Sequence, residues 1–295
     1  MQKIVWHYFC RNSPSNIDKY IRYLLISVNS LITTAKVNPK DIFVSLDLCT
    51  NLEDSSCLNK IIEYGINIVQ VPIYKNQSKC FNLYNVIKNN TDIDKIVQID
   101  CDTIITDPNI IDKISRLEAP INNITMNWPI TKVFDSRDGL KHPTYGAEKV
   151  LVGADHSKNL LFSICKNNQA RYGSFKSFMD LVYNIDLDNT IEKLKLETRM
   201  FYGYVIVLCP KIIPESFFRF MAVMDLFFGD DEMIFTLARE YSGIQYEDIN
   251  KYEKIVLGAQ TVEDFNKYKG IIHFPVKDEE IVDDIENLIQ KILSS

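Results

Sequence analysis

Short apolar runs alternate with helical patterns through the first third of the chain. Residues 3–9 predict a strand, and apolar side chains then recur at helical spacing from the polar turn at 11–16 to about residue 36. Three further strands are predicted at 42–46, 66–73 and 96–99, with helices at 56–64 and 78–89 between them. This alternation is typical of βαβ units, so we expect a Rossmann-like α/β arrangement with a parallel sheet in residues 1–115.

The pattern becomes less regular in the second half of the chain, residues 116–295. The predicted elements there are a strand at 121–128, a polar loop at 131–149, helices at 157–166, 174–183 and 188–197, a strand at 201–208, a helix at 230–241 and an amphipathic C-terminal helix from residue 278. An aromatic-rich segment at 214–228 has no assigned element. No repeat or linker separates the halves, so the sequence predicts a single domain over residues 1–295.

Two aspartates follow the fourth predicted strand. The apolar run ends at Ile99, Asp100-Cys101-Asp102 comes next, and apolar residues resume at Ile104. Two carboxylates at the carboxyl end of a buried strand repel each other unless a cation lies between them. Mg²⁺ and Mn²⁺ prefer such oxygens, and open α/β sheets bind ligands beyond the carboxyl ends of their strands. The pattern indicates a metal site that binds a diphosphate, and an ordinary polar turn is the alternative.

The run Lys95–Pro108 resembles the metal-binding segment of nucleotide-sugar-dependent glycosyltransferases of the GT-A fold, in which a D-x-D motif holds Mn²⁺ against the donor diphosphate. Two later segments are similar to that family: 201–208, and 270–274, which is distantly like glycosyltransferase family eight. After His273 the chain departs from the Gly-x-x-Lys-Pro-Trp sequence common in family eight. The resemblance implies a GT-A-like fold, with a mostly parallel central sheet flanked by helices and an acceptor-side second half.

The resemblance also implies which residues bind the metal and the donor. Mn²⁺ or Mg²⁺ would be held by Asp102, Asp100 and His273. Neutral imidazole is a suitable third ligand for these ions. The alternative for Asp100 is a contact with the ribose of the donor. A solvated or core histidine is the alternative for His273.

Three further positions are expected near the nucleotide sugar: Tyr8 beside the base, Lys79 at the start of a helix, and Gly203 close to the donor sugar. Strand-core packing is the alternative for Tyr8, and a solvated helix end is the alternative for Lys79.

Acidic residues begin the helix predicted at 230–241. Acids in a first helical turn interact favourably with the helix dipole, which explains them without any activity. The functional hypothesis is that one acid faces the acceptor: an inverting transferase needs a carboxylate base, and a retaining one needs polar groups near the sugar. Asp231 is the first candidate for this catalytic role and Glu232 the second.

Composition limits the partners. The net charge of −6 argues against a nucleic-acid binder. The sequence contains no run of 18 apolar residues, so we expect no membrane span. The seven cysteines are odd in number and form no C-x-x-C pair, which favours a soluble protein in a reducing compartment such as the cytoplasm. We expect a nucleotide-sugar donor, a UDP-sugar by family habit, and a carbohydrate, protein or small-molecule acceptor. The sequence leaves open whether the chain forms a homodimer.

The resemblance implies a glycosyltransferase, and among these a hexosyltransferase, but two other enzyme classes share parts of the pattern. Asp100-Cys101-Asp102-Thr103 also matches the D-x-D-x-T motif of haloacid-dehalogenase-like phosphatases, in which Asp100 would attack phosphorus. That motif normally lies on the first strand, whereas three strand-like segments precede it here. A nucleotidyltransferase would need a glycine-rich loop after the first strand, and residues 10–16 contain no glycine. A non-catalytic glycan-binding protein remains an alternative.

Overall fold

The computed structural model describes residues 2–10, 17–47, 56–71, 79–129, 177, 180–181, 199–228, 231–258, 267–273 and 287 of the chain. The strands are β1 (Ile4–Cys10), β2 (Ile42–Asp47), β3 (Asn67–Val71), β4 (Lys95–Ile99), β5 (Thr103–Ile105), β6 (Ile121–Pro129), β7 (Arg199–Leu208), β8 (Tyr246–Asp248), β9 (Val256–Gly258) and β10 (Ile271–His273). The α-helices are α1 (Ile17–Thr33), α2 (Ser56–Glu63), α3 (Lys79–Asn89), α4 (Ile110–Ser115), α5 (Glu215–Phe228) and α6 (Asp231–Ser242).

Seven strands form one mixed sheet in the order β3-β2-β1-β4-β7-β6-β8. The four strands from the first half are mutually parallel, as predicted. β7 runs antiparallel to both of its neighbours, β4 and β6, and β8 is parallel to β6. Strands from both halves of the chain therefore share one sheet, with β4 in the middle.

A second sheet of three strands, in the order β5-β10-β9, adjoins the end of β4. β10 is antiparallel to β5 and parallel to β9. Its strands have only three residues each. Such short strands show no periodicity, and for this reason β5, β8 and β9 were not predicted from the sequence.

The core lies around β1 and β4, which are buried on both faces as parallel strands usually are. Trp6 of β1, Leu24 of α1 and Ile99 of β4 are fully buried members of one apolar cluster. The cluster continues into the small sheet through Ile271 and Ile272, so both sheets pack on the same core.

The elements predicted in the first half are confirmed, with small shifts at their ends. α1 ends at Thr33 rather than near residue 36, where Lys36 adopts a positive φ of 58° that no α-helix continues. α2 is followed by Gly65 with φ +72°, which is the left-handed conformation expected of a glycine C-cap.

In the second half, the strand at 121–128 and the strand at 201–208 are confirmed as β6 and β7, and the helix at 230–241 as α6. The aromatic segment at 214–228, for which the sequence predicted no secondary structure, forms helix α5. The polar loop at 131–149, the three predicted helices between 157 and 197 and the C-terminal helix lie outside the described residues, apart from 177, 180–181 and 287. Among the described residues, no helix combines the length and apolar character needed to cross a membrane.

Candidate metal and donor site

The acidic pair lies where the chain leaves the large sheet and enters the small one. Asp100 follows β4, and its backbone amide donates a 2.9 Å hydrogen bond to the carbonyl of Tyr204 on β7. Thr103, the first residue of β5, donates from Oγ1 to the carbonyl of Asp100 at 2.7 Å. These bonds fix a tight turn, so Asp100 and Asp102 stand together at the carboxyl end of the middle strand, where open α/β sheets bind ligands.

His273 reaches the acidic pair through the small sheet. β10 pairs with β5 so that His273 lies opposite Thr103, and its Nε2 is 3.4 Å from Asp102 Oδ1. One ligand atom from each of Asp100, Asp102 and His273 lies within 4.8 Å of the other two. The imidazole stacks on the ring of Tyr204 with centroids 4.3 Å apart and planes 6° from parallel, which fixes its orientation.

The charges of the cluster fit a divalent cation. Burial alone lowers the pKa of His273, but the hydrogen bond to Asp102 and the charges of Asp102 and Asp100 outweigh it, so the pKa is raised. The same two carboxylates that raise this pKa would also attract a metal cation. Two carboxylates and an imidazole are a suitable donor set for Mn²⁺, so the residues present fit the predicted ion.

Lys79 is the first residue of α3 and belongs to the same site. Its Nζ donates to Asp100 Oδ1 at 2.6 Å and to the carbonyl of Gly203 at 2.8 Å. The side chain is only 6% exposed, so the alternative of a solvated helix end is wrong. Gly203 takes part through its backbone carbonyl, which lies on β7 one residue before the tyrosine that stacks on His273.

The structure favours strand-core packing for Tyr8 over contact with a nucleotide base. Tyr8 is completely buried in β1, and its hydroxyl hydrogen-bonds to Ser27 Oγ of α1 at 2.9 Å. Burial raises the pKa of the phenol, so it stays neutral. The ring has no exposed surface, because β1 is buried on both of its faces.

A different tyrosine stands beside the acids and was missed in the sequence. Tyr20 of α1 is 41% exposed, and its pKa is raised by partial burial and then by the nearby charge of Asp102. Its ring meets Tyr23 edge-on, at 6.1 Å between centroids. Tyr20 lies in the first turn of α1, at the edge of the apolar face, and no sequence signal distinguished it from a core residue.

The two catalytic candidates, Asp231 and Glu232, begin α6, but their side chains lie outside the described residues. α6 packs against β7 and α5. It leads into β8, whose Tyr246 pairs with Ile121, the partner of Leu208 at the far end of β7. The strand that follows α6 thus starts at the end of the sheet opposite the acidic pair. A catalytic role for either acid stays a prediction.

The chain has the fold of the GT-A glycosyltransferases, as the sequence resemblance implied. No protein-family model and no curated protein sequence matches the chain. Among solved structures, it is similar to the bifunctional glycosyltransferase WbbM, with a TM-score of 0.51 and 13% identity over 99% of this chain and 50% of that one. The chain thus spans about half the length of WbbM.

Two other solved structures are similar at lower scores. The galactosyltransferase LgtC gives a TM-score of 0.45 with 10% identity over 98% of this chain and 95% of that one. Mouse xyloside xylosyltransferase 1 gives 0.44 with 10% identity over 92% and 97%. At these identities the likeness concerns the fold alone. The activity has to be argued from the site.

Proposed function

We propose that the chain is a metal-dependent glycosyltransferase that moves a sugar from a nucleoside-diphosphate sugar to an acceptor hydroxyl. The observation that carries this is the cluster of Asp100, Asp102 and His273, whose ligand atoms lie within 4.8 Å of one another beside Lys79. The cluster stands at the carboxyl end of the middle strand of a GT-A sheet, where a diphosphate can approach from solvent.

In the proposed reaction the bond between the anomeric carbon and the diphosphate oxygen breaks, and the diphosphate keeps the electron pair. The acceptor oxygen bonds to the anomeric carbon, and its proton passes to a base. Asp102, His273 and Asp100 would hold Mn²⁺ or Mg²⁺. When bound, the ion supplies positive charge beside the departing diphosphate.

The protein's own groups orient this site. Lys79 holds Asp100 at 2.6 Å, so one carboxylate keeps a defined direction before any ligand arrives. Tyr204 holds the imidazole of His273 in a parallel stack. Preorganised charges of this kind cost no rearrangement during the reaction, which is where most electrostatic catalysis originates.

The donor and acceptor are assigned by the resemblance and by position. A UDP-sugar carrying a hexose is the favoured donor, with Gly203 and Tyr20 on the donor side of the cluster. Asp231 is the first candidate for a group that faces the acceptor, and Glu232 is the second. Thermal-shift measurements with a panel of nucleotides and nucleotide sugars, with and without Mn²⁺, would identify the base, because a ligand of the native state raises the melting point.

The decisive test is calorimetry of UDP binding in the presence of Mn²⁺. Asp102→Asn should weaken binding by about 100-fold, or about 2.7 kcal/mol, because the ion would lose one of its few charged protein ligands. Asp92→Asn is the matched control, because Asp92 is an exposed acid that pairs with Lys3 before the start of β4. Unchanged affinity in Asp102→Asn would contradict the proposal.

Activity and binding assays on the wild type and the aspartate variants distinguish a transferase from a phosphatase and from a glycan-binding protein. Release of UDP from a UDP-sugar that requires Mn²⁺ and is lost in Asp102→Asn would establish the transferase site. Hydrolysis of p-nitrophenyl phosphate that Asp100→Asn abolishes would instead establish a phosphatase. Binding of a glycan that needs neither metal nor nucleotide, without any UDP release, would make the chain a glycan-binding protein.

A further inference from the structure

A buried carboxylate joins α3 to α5 next to the proposed donor site. Asp225 of α5 is completely buried, and its Oδ2 accepts a 3.0 Å hydrogen bond from the backbone amide of Phe81. Phe81 lies in the first turn of α3, whose amides have no partner within the helix. Asp225 therefore caps α3 from another helix, as an N-cap residue normally does from within its own chain segment.

The capped turn is the one that carries Lys79. A cation at the first residue of a helix is unfavourable, because the amino end of a helix carries partial positive charge. Two carboxylates offset this: Asp100 is 2.6 Å from the Lys79 ammonium, and Asp225 binds the backbone amide two residues further on. Lys79 can reach both Asp100 and the carbonyl of Gly203 only while this turn stays in place.

We propose that Asp225 is a positioning residue for the donor site. By holding the first turn of α3 it sets the reach of Lys79, and through Lys79 it sets the direction of Asp100. The link from Asp225 to Lys79 stands on the contacts above, whereas its consequence for donor binding rests on the proposed function.

Glu215 provides a matched control on the same pair of helices. It begins α5, and its Oε1 accepts a 2.7 Å hydrogen bond from the hydroxyl of Tyr84 on α3. This contact also links α5 to α3, but it is exposed and lies further along α3 than the first turn. Glu215→Gln therefore disturbs the helix pair without touching the turn that holds Lys79.

The first experiment needs no ligand. The protein is treated with an N-hydroxysuccinimide ester of acetate, and acylation of Lys79 is followed by mass spectrometry. We expect labelling about tenfold faster in Asp225→Ala than in the wild type, since losing a hydrogen bond to a charged acceptor costs about 1.4 kcal/mol, which is a factor of ten. Glu215→Gln should label at the wild-type rate.

Asp225→Asn keeps an acceptor oxygen and serves if the alanine variant does not fold. Its Lys79 should label two- to threefold faster than that of the wild type, because the hydrogen bond is weakened at about half the cost of losing it. Wild-type labelling rates at Lys79 in the folded Asp225 variants would overturn the proposal.

The second experiment measures UDP affinity with Mn²⁺ in a double-variant cycle. Asp225→Ala should weaken binding about tenfold in the wild-type background and have no further effect in a Lys79→Met background, because coupled residues are not additive. An equal loss in both backgrounds would show a general effect on the fold and overturn the positioning role. A wild type that binds no UDP would count against the proposed function alone, and the labelling rates would then decide the role of Asp225.

Discussion

The two ends of β4 each meet a buried lysine, and the two lysines have different partners. Lys95, at the start of the strand, donates to three backbone carbonyls at the end of α4. Lys79, beyond the other end, donates to the carboxylate of Asp100 and one carbonyl. Both residues are 5% exposed, so residue type and burial do not distinguish them.

The partners explain the difference. Carbonyls at the end of a helix carry partial negative charge and stabilise a cation without any ligand, so Lys95 completes a closed structural contact. At the opposite end, Asp100 and Asp102 bring two negative charges against the single charge of Lys79, and His273 carries a raised pKa in response. That end still attracts a cation, which is the property expected of a binding site.

Lys95→Met should give the largest loss of stability. Three carbonyls would lose their partner, two of them in buried hydrogen bonds. We expect the free energy of unfolding to fall by about 3–4 kcal/mol, at about 1 kcal/mol or more for each carbonyl. Urea unfolding monitored by circular dichroism measures this, with Lys211→Met as the control, since Lys211 makes an exposed ion pair with Asp94. UDP affinity should not change. A strong loss of UDP binding in a stable Lys95 variant would abolish the contrast between the two ends.

The middle of the core should respond to acid through His7. Burial lowers the pKa of His7 to about 4, although the hydrogen bond to Gln98 opposes the shift. Because the unfolded chain takes up the proton near its ordinary value of 6.5, stability is complete above pH 6.5, falls as the pH drops to about 4, and then levels. The loss amounts to about 3 kcal/mol, at 1.36 kcal/mol for each pH unit between the two values.

Unfolding free energies of the wild type and His7→Asn between pH 7 and pH 4 isolate this contribution from that of the carboxylates. The difference between the two proteins should shrink as the pH falls. Parallel curves would mean that His7 is not held neutral by the core.

Lys79→Met should show the opposite behaviour to Lys95→Met. Asp100 would lose its partner, and we expect UDP affinity with Mn²⁺ to fall by about 100-fold, or about 2.7 kcal/mol. Calorimetry measures the affinity, and urea unfolding of the same sample shows how much of the loss is structural. A variant that binds UDP normally would place Lys79 with Lys95 among the structural lysines.

Gly270→Ala should have the smallest effect and should test how β10 delivers His273. A Cβ at Gly270 would lie 2.4 Å from the carbonyl oxygen of Ile255, so the start of β10 would have to shift. We expect a loss of about 1–2 kcal/mol in stability from this overpacking, with weaker Mn²⁺ binding. Gly258→Ala is the control, because no atom lies within 4 Å of its Cβ position. Equal Mn²⁺ affinity in both variants would mean that β10 tolerates the shift.

The comparison also explains which site residues could be found in the sequence. Asp100 and Asp102 were found because two acids interrupt an apolar strand, which is a local signal. His273 and Lys79 were found by resemblance, since neither stands in a distinctive local pattern. The sequence did not indicate that Tyr8 is buried and that Tyr20 lies near Asp102, because this depends on which side chain points into the core. Asp225 was missed because its partner is a backbone amide on another helix.

The sequence alone determined the order of the strands and helices in the first half and the parallel sheet that they form. It also determined that the acidic pair lies at the end of a strand. These follow from periodicity and from chain neighbours, which act over a few residues. Tertiary structure alone decided the antiparallel insertion of β7, the small sheet and the contact of Lys79 with Gly203, 124 residues away. Such contacts depend on strand register and helix packing, which are set by the whole core rather than by any one segment.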